Sequence, residues 1–103
     1  MTFRVEIAPS AIAEADAAYE SIAAGSPAAA ARWLDELANA VASLGNMPRR
    51  HGFAREHGRV SYELRQFRHA PYRILFTIVE DVVRVLHVRH QAMDDMPPRE
   101  LGR

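Results

Sequence analysis

The sequence contains no cysteine, no lysine and no long apolar run. The lack of cysteine excludes disulfides, thiolate metal sites and cysteine nucleophiles. No apolar segment reaches membrane-spanning length, and no charged-then-apolar signal precedes the first predicted strand, so we expect a cytoplasmic protein without membrane contact. The five histidines form no helical pair at ligand spacing, and neither a glycine-rich phosphate loop nor a nucleophilic serine motif is present. We therefore expect no metal and no cofactor.

Because lysine is absent, every cationic side chain is an arginine, and most of them follow Pro48. Residues 11–44 carry five carboxylates against Arg32 alone. Arginine binds phosphate and carboxylate groups in a bidentate manner, so an arginine-only basic half suits nucleic acid or an acidic protein segment. A GC-rich genome would produce the same bias, so composition alone leaves both explanations open.

The chain has 103 residues, a mass of 11.6 kDa, a hydrophobic fraction of 49% and a charged fraction of 25%. These values are typical of one soluble globular domain with a single core. We predict one domain over residues 1–103. Its tail, residues 91–103, carries two aspartates and two prolines and is expected to be irregular or weakly ordered.

Alternating apolar residues at positions 3, 5 and 7 predict a short first strand. Ser10 is the expected N-cap of a first helix, which ends at Gly25. Ser26 and Pro27 then predict the start of a second helix. The apolar stripe of that helix consists of Trp33, Leu34, Leu37, Val41 and Leu44. The very short connection predicts an antiparallel helical hairpin.

Residues 62–90 predict three strands, separated by turns at residues 69–71 and 80–81. In the middle strand the apolar residues 72, 74, 76 and 78 alternate with a second set that begins at Arg73. One face of the sheet should therefore enter the core. The other face should present Arg65 and Arg73 and be free to meet a partner. The last strand is largely apolar on both faces, so the pattern does not assign its inward side.

Together these elements predict an α+β fold of order β-α-α-β-β-β, in which the helical hairpin packs on one face of a small, mostly antiparallel sheet. Between the second helix and the second strand, residues 47–61 lack periodicity and are rich in arginine and histidine. This basic loop is either a phosphate-tracking element or an ordinary solvated connection.

The element order and three short motifs resemble the RelE/ParE superfamily, the toxins of type II toxin–antitoxin systems of the plasmid stabilisation type. The motifs are ELR at 63–65, YRILF at 72–76 and HVRH at 87–90. The resemblance implies a growth-inhibiting toxin that a cognate antitoxin neutralises, with a higher-order toxin–antitoxin oligomer as one form. RelE-like members resemble endoribonucleases that cut messenger RNA in the ribosome, whereas ParE-like members act on DNA gyrase.

For a metal-independent endoribonuclease, the resemblance implies that Arg73 clamps the scissile phosphate and that His90 or His87 transfers a proton. Arg65 would join Arg73 and His90 in the catalytic set. Further contacts with RNA or another target are expected from the remaining arginines of this half: Arg49, Arg50, Arg55, Arg59, Arg68 and Arg89.

Two departures from the RelE-like pattern favour a gyrase inhibitor that is not a nuclease. The lysines of the preceding strand are absent, and residues 91–96 read QAMDDM, an acidic sequence that would repel RNA. Structural roles also compete with catalytic ones. Arg73 would form a surface ion pair with Glu63 or Glu6, and His87 would be a hydrogen-bonded core histidine. An inactive member that only binds its partner is a third hypothesis.

Overall fold

The computed structural model describes residues 2–102. It contains four strands, β1 (Arg4–Ile7), β2 (Leu64–His69), β3 (Tyr72–Val79) and β4 (Val82–His90). Two long helices, α1 (Pro9–Gly25) and α2 (Pro27–Ser43), lie between β1 and β2, and a short helix α3 (Pro98–Leu101) follows β4. A single 3₁₀ turn, Pro48–Arg50, lies in the basic loop. The predicted order β-α-α-β-β-β is confirmed, with α3 as an addition.

The four strands form one sheet in the order β1-β4-β3-β2. β4 pairs with β3, and β3 with β2, in antiparallel register, whereas β1 runs parallel to β4. Because a parallel neighbour needs a long crossover, α1, α2 and the following strands separate β1 from β4 in the chain. The sheet is therefore mostly antiparallel, as the alternation pattern predicts.

The helical hairpin begins and turns at defined residues. Pro9 starts α1 after Ala8, so the prediction that Ser10 is the N-cap is wrong; the Ser10 hydroxyl instead donates to the Leu86 carbonyl at 2.9 Å. Ser26 does cap α2, since its Oγ accepts a hydrogen bond from the Ala29 N–H at 3.2 Å. With Pro27 at the first helical position, the chain reverses direction within one residue.

The side of the sheet that α1 and α2 cover is called the helix face. Its buried residues come from both helices and from the middle of β3 and β4, and include Trp33, Leu37, Ile74, Phe76 and Val85. The apolar set of β3 that begins at Tyr72 lies here, as its alternation predicts. This face forms the larger of the two apolar clusters.

The opposite side of the sheet, called the tail face, is also covered, so the prediction of a face free to meet a partner is wrong. The basic loop and the C-terminal segment pack on it and bury Leu64, Leu75, Leu86, Met96 and Leu101. The segment from Gln91 to Pro97 has no helix or strand. It is nevertheless packed against the sheet, because the side chains of Met96 and Leu101 are buried.

A bulge explains why the sequence of β4 does not reveal its inward side. Phe76 is paired with Val85, but the preceding residue Leu75 is paired with His87, so β4 holds one extra residue. The alternation therefore changes phase along the strand. Val85 and Val88 both enter the helix-face cluster, while Leu86 enters the tail-face cluster.

Candidate functional site

Arg73, the predicted phosphate clamp, is buried on the tail face with only 2% of its surface exposed. Its two terminal nitrogens bind the carboxylate of Glu56 in a bidentate ion pair, with Nη1 donating to Oε1 at 2.9 Å. The same Nη1 also donates to Oε1 of Gln66 at 3.0 Å. The expected surface pair with Glu63 or Glu6 is thus wrong, since the partner is a fully buried glutamate of the basic loop.

Glu56 remains ionised because its partners outweigh its burial. Removal from water raises the pKa of a carboxyl group, but hydrogen bonds from Arg73 and from the backbone N–H of Met96 lower it to about 2. The Met96 N–H donates to Glu56 Oε2 at 2.8 Å. Loop, strand and C-terminal segment therefore meet at one carboxylate.

The C-terminal segment is further held by two of the four basic-loop arginines that were expected to bind RNA or another target. Arg55 and Arg59 both contact the Asp95 carboxylate, at 3.0 and 3.1 Å. Arg55 also donates to the Met93 carbonyl at 3.1 Å. The acidic sequence that would repel RNA is thus in contact with the arginines that would attract it.

His87 has both ring nitrogens occupied. Nδ1 lies 3.0 Å from Glu14 Oε1 on α1, and Nε2 lies 2.6 Å from the carbonyl oxygen of Leu101. Burial lowers the pKa of this imidazole, but the hydrogen bond and charge of Glu14 and the carbonyl of Leu101 raise it above its usual value overall. The geometry is that of a hydrogen-bonded core histidine, which joins α1 to the C-terminal segment.

His90 and Arg65 project from the helix face, whereas Arg73 projects from the tail face. Residues directly opposite each other in antiparallel strands share a face. His90 is paired with Tyr72 and Arg65 with Phe76, and both of these aromatic residues pack in the helix-face cluster. Arg73 belongs to the alternate set of β3. The fold therefore does not bring the predicted catalytic set Arg73, His90 and Arg65 together at one point.

The surroundings of the two helix-face candidates differ. The His90 ring lies edge-on to Tyr72, with centroids 5.1 Å apart, and its Nδ1 accepts a hydrogen bond from the Ala92 N–H. Arg65 pairs with Glu63, donates to the His51 carbonyl and stacks on Phe53 at 4.3 Å. Its guanidinium is thus engaged within the protein.

Most other predicted contact arginines also have partners inside the chain. Arg49 binds Glu63, Arg50 binds the Ser43 hydroxyl, and Arg89 donates to the Asp94 carbonyl. Arg68 differs, because within residues 2–102 its guanidinium has no hydrogen-bond or ion-pair partner and its side chain is exposed. Arg68 is directly opposite Arg73 in the β2–β3 pair, so both lie on the tail face.

Sequence reasoning missed Glu56 and Gln66, the two side chains that hold Arg73. A signal for Glu56 was present, since it is the only carboxylate between Glu36 and Glu63. A single acidic residue in an otherwise basic loop is a plausible partner for a buried arginine. Nothing in the sequence, however, places that loop over the sheet.

Sequence reasoning also missed an apolar groove that opens to solvent on the helix-face side of the sheet. It lies between β1, α1 and α2, has a volume of about 440 Å³ and is lined almost wholly by aliphatic side chains. Three large residues at its rim remain exposed: Ile7 by 46%, Ile12 by 51% and Leu34 by 39%. Leu34 belongs to the predicted apolar stripe of α2, but it lines this groove instead of being fully buried.

Within residues 2–102, no group of three histidine or acidic side chains is arranged to hold a metal ion. In the same part of the chain, no helix combines the length and apolarity that crossing a bilayer requires.

Residues 5–95 match the sequence model of the family described as the ParE toxin of the type II toxin–antitoxin system parDE. The match covers nearly all of the fold, from β1 to the segment that crosses the tail face. The chain therefore belongs to the ParE toxin family, and it is a toxin of a type II toxin–antitoxin module.

A solved structure shares this fold. A chain from a chromosomal ParDE toxin–antitoxin system of P. aeruginosa superimposes with a TM-score of 0.70 at 17% sequence identity. The likeness covers 86% of this chain and 96% of that one. No curated protein sequence matches this chain.

Family membership implies a cognate antitoxin as partner. The predicted resemblance to the RelE/ParE superfamily is thereby confirmed. The target of the toxin and its assembly with the antitoxin into a larger oligomer stay predictions.

Proposed function

We propose that this toxin inhibits growth by binding a protein target, DNA gyrase, and does not cut RNA. The observation that carries the proposal is the division of the catalytic candidates between the two faces of the sheet. A phosphate in contact with Arg73 on the tail face lies on the other side of the sheet from His90 and Arg65. General acid–base chemistry on one phosphate needs the proton donor and the phosphate clamp within hydrogen-bond reach of the same group.

The electrostatics of Arg73 support the same proposal. Its terminal nitrogens are held by Glu56, and a guanidinium neutralised in this way contributes little to stabilising the charge of a phosphorane. His87 is likewise engaged through both of its ring nitrogens. Gyrase is proposed as the target because the resemblance to ParE-like toxins implies it.

Purified toxin in a DNA supercoiling assay tests this proposal directly. We expect inhibition of gyrase by the wild type and by His90→Ala, since His90 has no catalytic part in this mechanism. In cells, induction should provoke DNA damage signalling and filamentation while primer extension shows intact messenger RNA. Cleaved transcripts that disappear in Arg73→Ala and His90→Ala would contradict the proposal.

We further propose that the apolar groove of the helix face is the antitoxin-binding surface. Exposed apolar patches of this kind mark protein interaction sites, and an amphipathic helix fits a groove lined by aliphatic side chains. Ile12 on α1 and Leu34 on α2 are exposed at the rim of the groove and would contact the apolar side of that helix.

Ile12→Glu and Leu34→Glu should each weaken antitoxin binding in a co-purification or calorimetric titration while leaving the toxin folded. Met93→Glu is the matched control, because Met93 is as exposed as Ile12, at 51%, and lies outside the groove. Equal affinity for the wild type and both groove variants would show that the antitoxin binds elsewhere.

A further inference from the structure

A second cavity, of about 370 Å³, opens on the tail face beside the buried ion pair. It lies where β2 and β3 meet the start of the C-terminal segment. Its lining consists of Arg55, Gln66, Arg68, Arg73, Gln91 and Ala92. Three of these six residues carry a guanidinium, two carry an amide, and none carries a carboxylate.

The pairing of Arg73 leaves two hydrogen-bond donors without a partner beside this cavity. The Nε of Arg73 is buried and has no partner within residues 2–102. Arg73 can only donate, so the Gln66 atom that binds it must be the amide oxygen, which turns the NH₂ group of Gln66 away from that bond. A buried donor without an acceptor costs stability unless a ligand supplies one. The site therefore calls for a ligand that accepts hydrogen bonds.

Of the three guanidiniums at this cavity, Arg68 alone has no carboxylate partner in the described part of the chain. Glu56 neutralises Arg73, and Asp95 is shared by Arg55 and Arg59. Arg68 remains without a counter-charge in the described part of the chain. One free guanidinium among donor groups suits one carboxylate, which arginine binds in a planar, bidentate geometry.

A nucleic-acid backbone fits this surface less well. A polyanion needs a track of several cations, but Asp94 and Asp95 follow the cavity residues Gln91 and Ala92 within four positions. These carboxylates would lie near any phosphates that extend beyond the cavity. A protein side chain places its charge in the cavity alone.

We infer that this cavity receives the carboxylate of an aspartate or glutamate side chain presented by a protein partner. This site rests on the proposed function in one respect only, which is that the partner is a protein. Arg68 would provide the ion pair, and the amides of Gln66 and Gln91 would donate the neutral hydrogen bonds. The site is separate from the apolar groove, which lies on the helix face.

The test is a titration of the isolated toxin, followed through the Nε–Hε signals of Arg68 and Arg73 in ¹H–¹⁵N spectra. The probe is a glutamate blocked at both backbone ends, and the blocked glutamine is its uncharged counterpart. We expect saturable shifts of both signals with blocked glutamate only. Arg68→Gln should weaken the binding by about tenfold, the loss of one charge-assisted contact.

Arg32→Gln is the matched control, because Arg32 is an exposed arginine on α2 without a partner in the described chain. It should bind the probe like the wild type. Equal shifts with the blocked glutamine, or equal affinity in Arg68→Gln, would overturn the inference. So would tighter, Arg68-dependent binding of a single-stranded RNA decamer, which would assign the cavity to nucleic acid.

The titration contains no gyrase and no antitoxin. A failure to bind the probe would therefore refute the carboxylate site without touching the proposed target. Conversely, if the toxin did not inhibit gyrase in the supercoiling assay, the proposed target would be wrong, but a measured affinity for the carboxylate probe would still stand.

Discussion

The two faces of the sheet are closed by different interactions. On the helix face, α1 and α2 bury a broad aliphatic and aromatic cluster. The tail face holds a smaller apolar cluster and the buried Arg73–Glu56 ion pair, and it is closed by a segment with little secondary structure. Burial of apolar surface is non-directional, whereas an ion pair depends on both partners and on their charge.

This difference indicates which face of the sheet should be more sensitive to mutation and to pH. The helix face should tolerate changes of pH, because few of its contacts titrate. The tail face should respond to pH, to removal of one charged partner and to loss of its C-terminal anchor. The same difference separates the two proposed binding surfaces, an apolar groove on one face and a donor-lined cavity on the other.

The largest expected effect comes from removing Glu56. In Glu56→Ala the buried guanidinium of Arg73 loses its counter-charge, which should lower the free energy of unfolding by about 3–5 kcal/mol in urea denaturation. Glu36→Ala, which removes an exposed carboxylate from α2, should change it by less than about 0.5 kcal/mol. The double variant Glu56→Leu/Arg73→Met should recover much of the loss. A single variant as stable as the wild type would show that the pair does not hold the tail face.

The same ion pair should give an acid-dependent stability of about 3 kcal/mol, from the difference between a folded pKa of about 2 and the usual 4.5 of glutamate. Because the pKa of Glu56 is lowered in the folded state, its contribution to folding stability is complete above about pH 4.5. This contribution is lost as the pH falls through about 2. Urea denaturation at stepped pH would measure the loss. In Glu56→Gln this part of the acid dependence should be missing, and an unchanged profile would contradict the assignment.

A smaller loss is expected from the anchor of the C-terminal segment. Leu101→Ala should cost about 2–3 kcal/mol, at the lower end for buried leucine, because a terminal segment can partly collapse into the space. Hydrogen exchange should also quicken at the Met96 amide, which depends on the same segment for its bond to Glu56. Arg99→Ala, on the exposed side of α3, is the control. If both variants matched the wild type, the tail would not be part of the tail-face core.

The smallest expected effect is a loss of folding stability near neutral pH, and its source is His87. The pKa of His87 is raised in the folded state. Its contribution to folding stability is therefore complete below about pH 6.5 and is lost as the pH rises through the folded pKa. Thermal unfolding between pH 5.5 and 8.5 should show this decline in the wild type. Glu14→Gln should flatten it, whereas Glu20→Gln, an exposed change on the same helix, should not. A decline of equal size in Glu14→Gln would remove His87 as its source.

Local patterns predicted the elements well, because alternation and helical spacing report the burial of neighbouring residues. The N-cap Ser26 and the apolar set of β3 are where their patterns place them. The error at Ser10 has a tertiary cause, since its hydroxyl is drawn to the Leu86 carbonyl on β4. A residue 76 positions away in the chain leaves no local signal.

The site was less predictable than the fold. Alternation within β3 separates Arg73 from the apolar set, but it does not show whether that second face is open. The assignment of Arg65 to the same face as Arg73 is wrong for a related reason. Leu64, the residue before Arg65, packs on the tail face, and this places Arg65 on the helix face.

The order of the elements, the helical hairpin and the family can be predicted from the sequence, because they depend on periodicities and motifs within short stretches. Three features depend on the complete fold: Glu56 neutralises Arg73, the C-terminal segment covers the second face, and His90 and Arg73 lie on opposite sides of the sheet. A buried charge takes its partner from whatever element packs over it, and the packing of that element involves residues far apart in the chain.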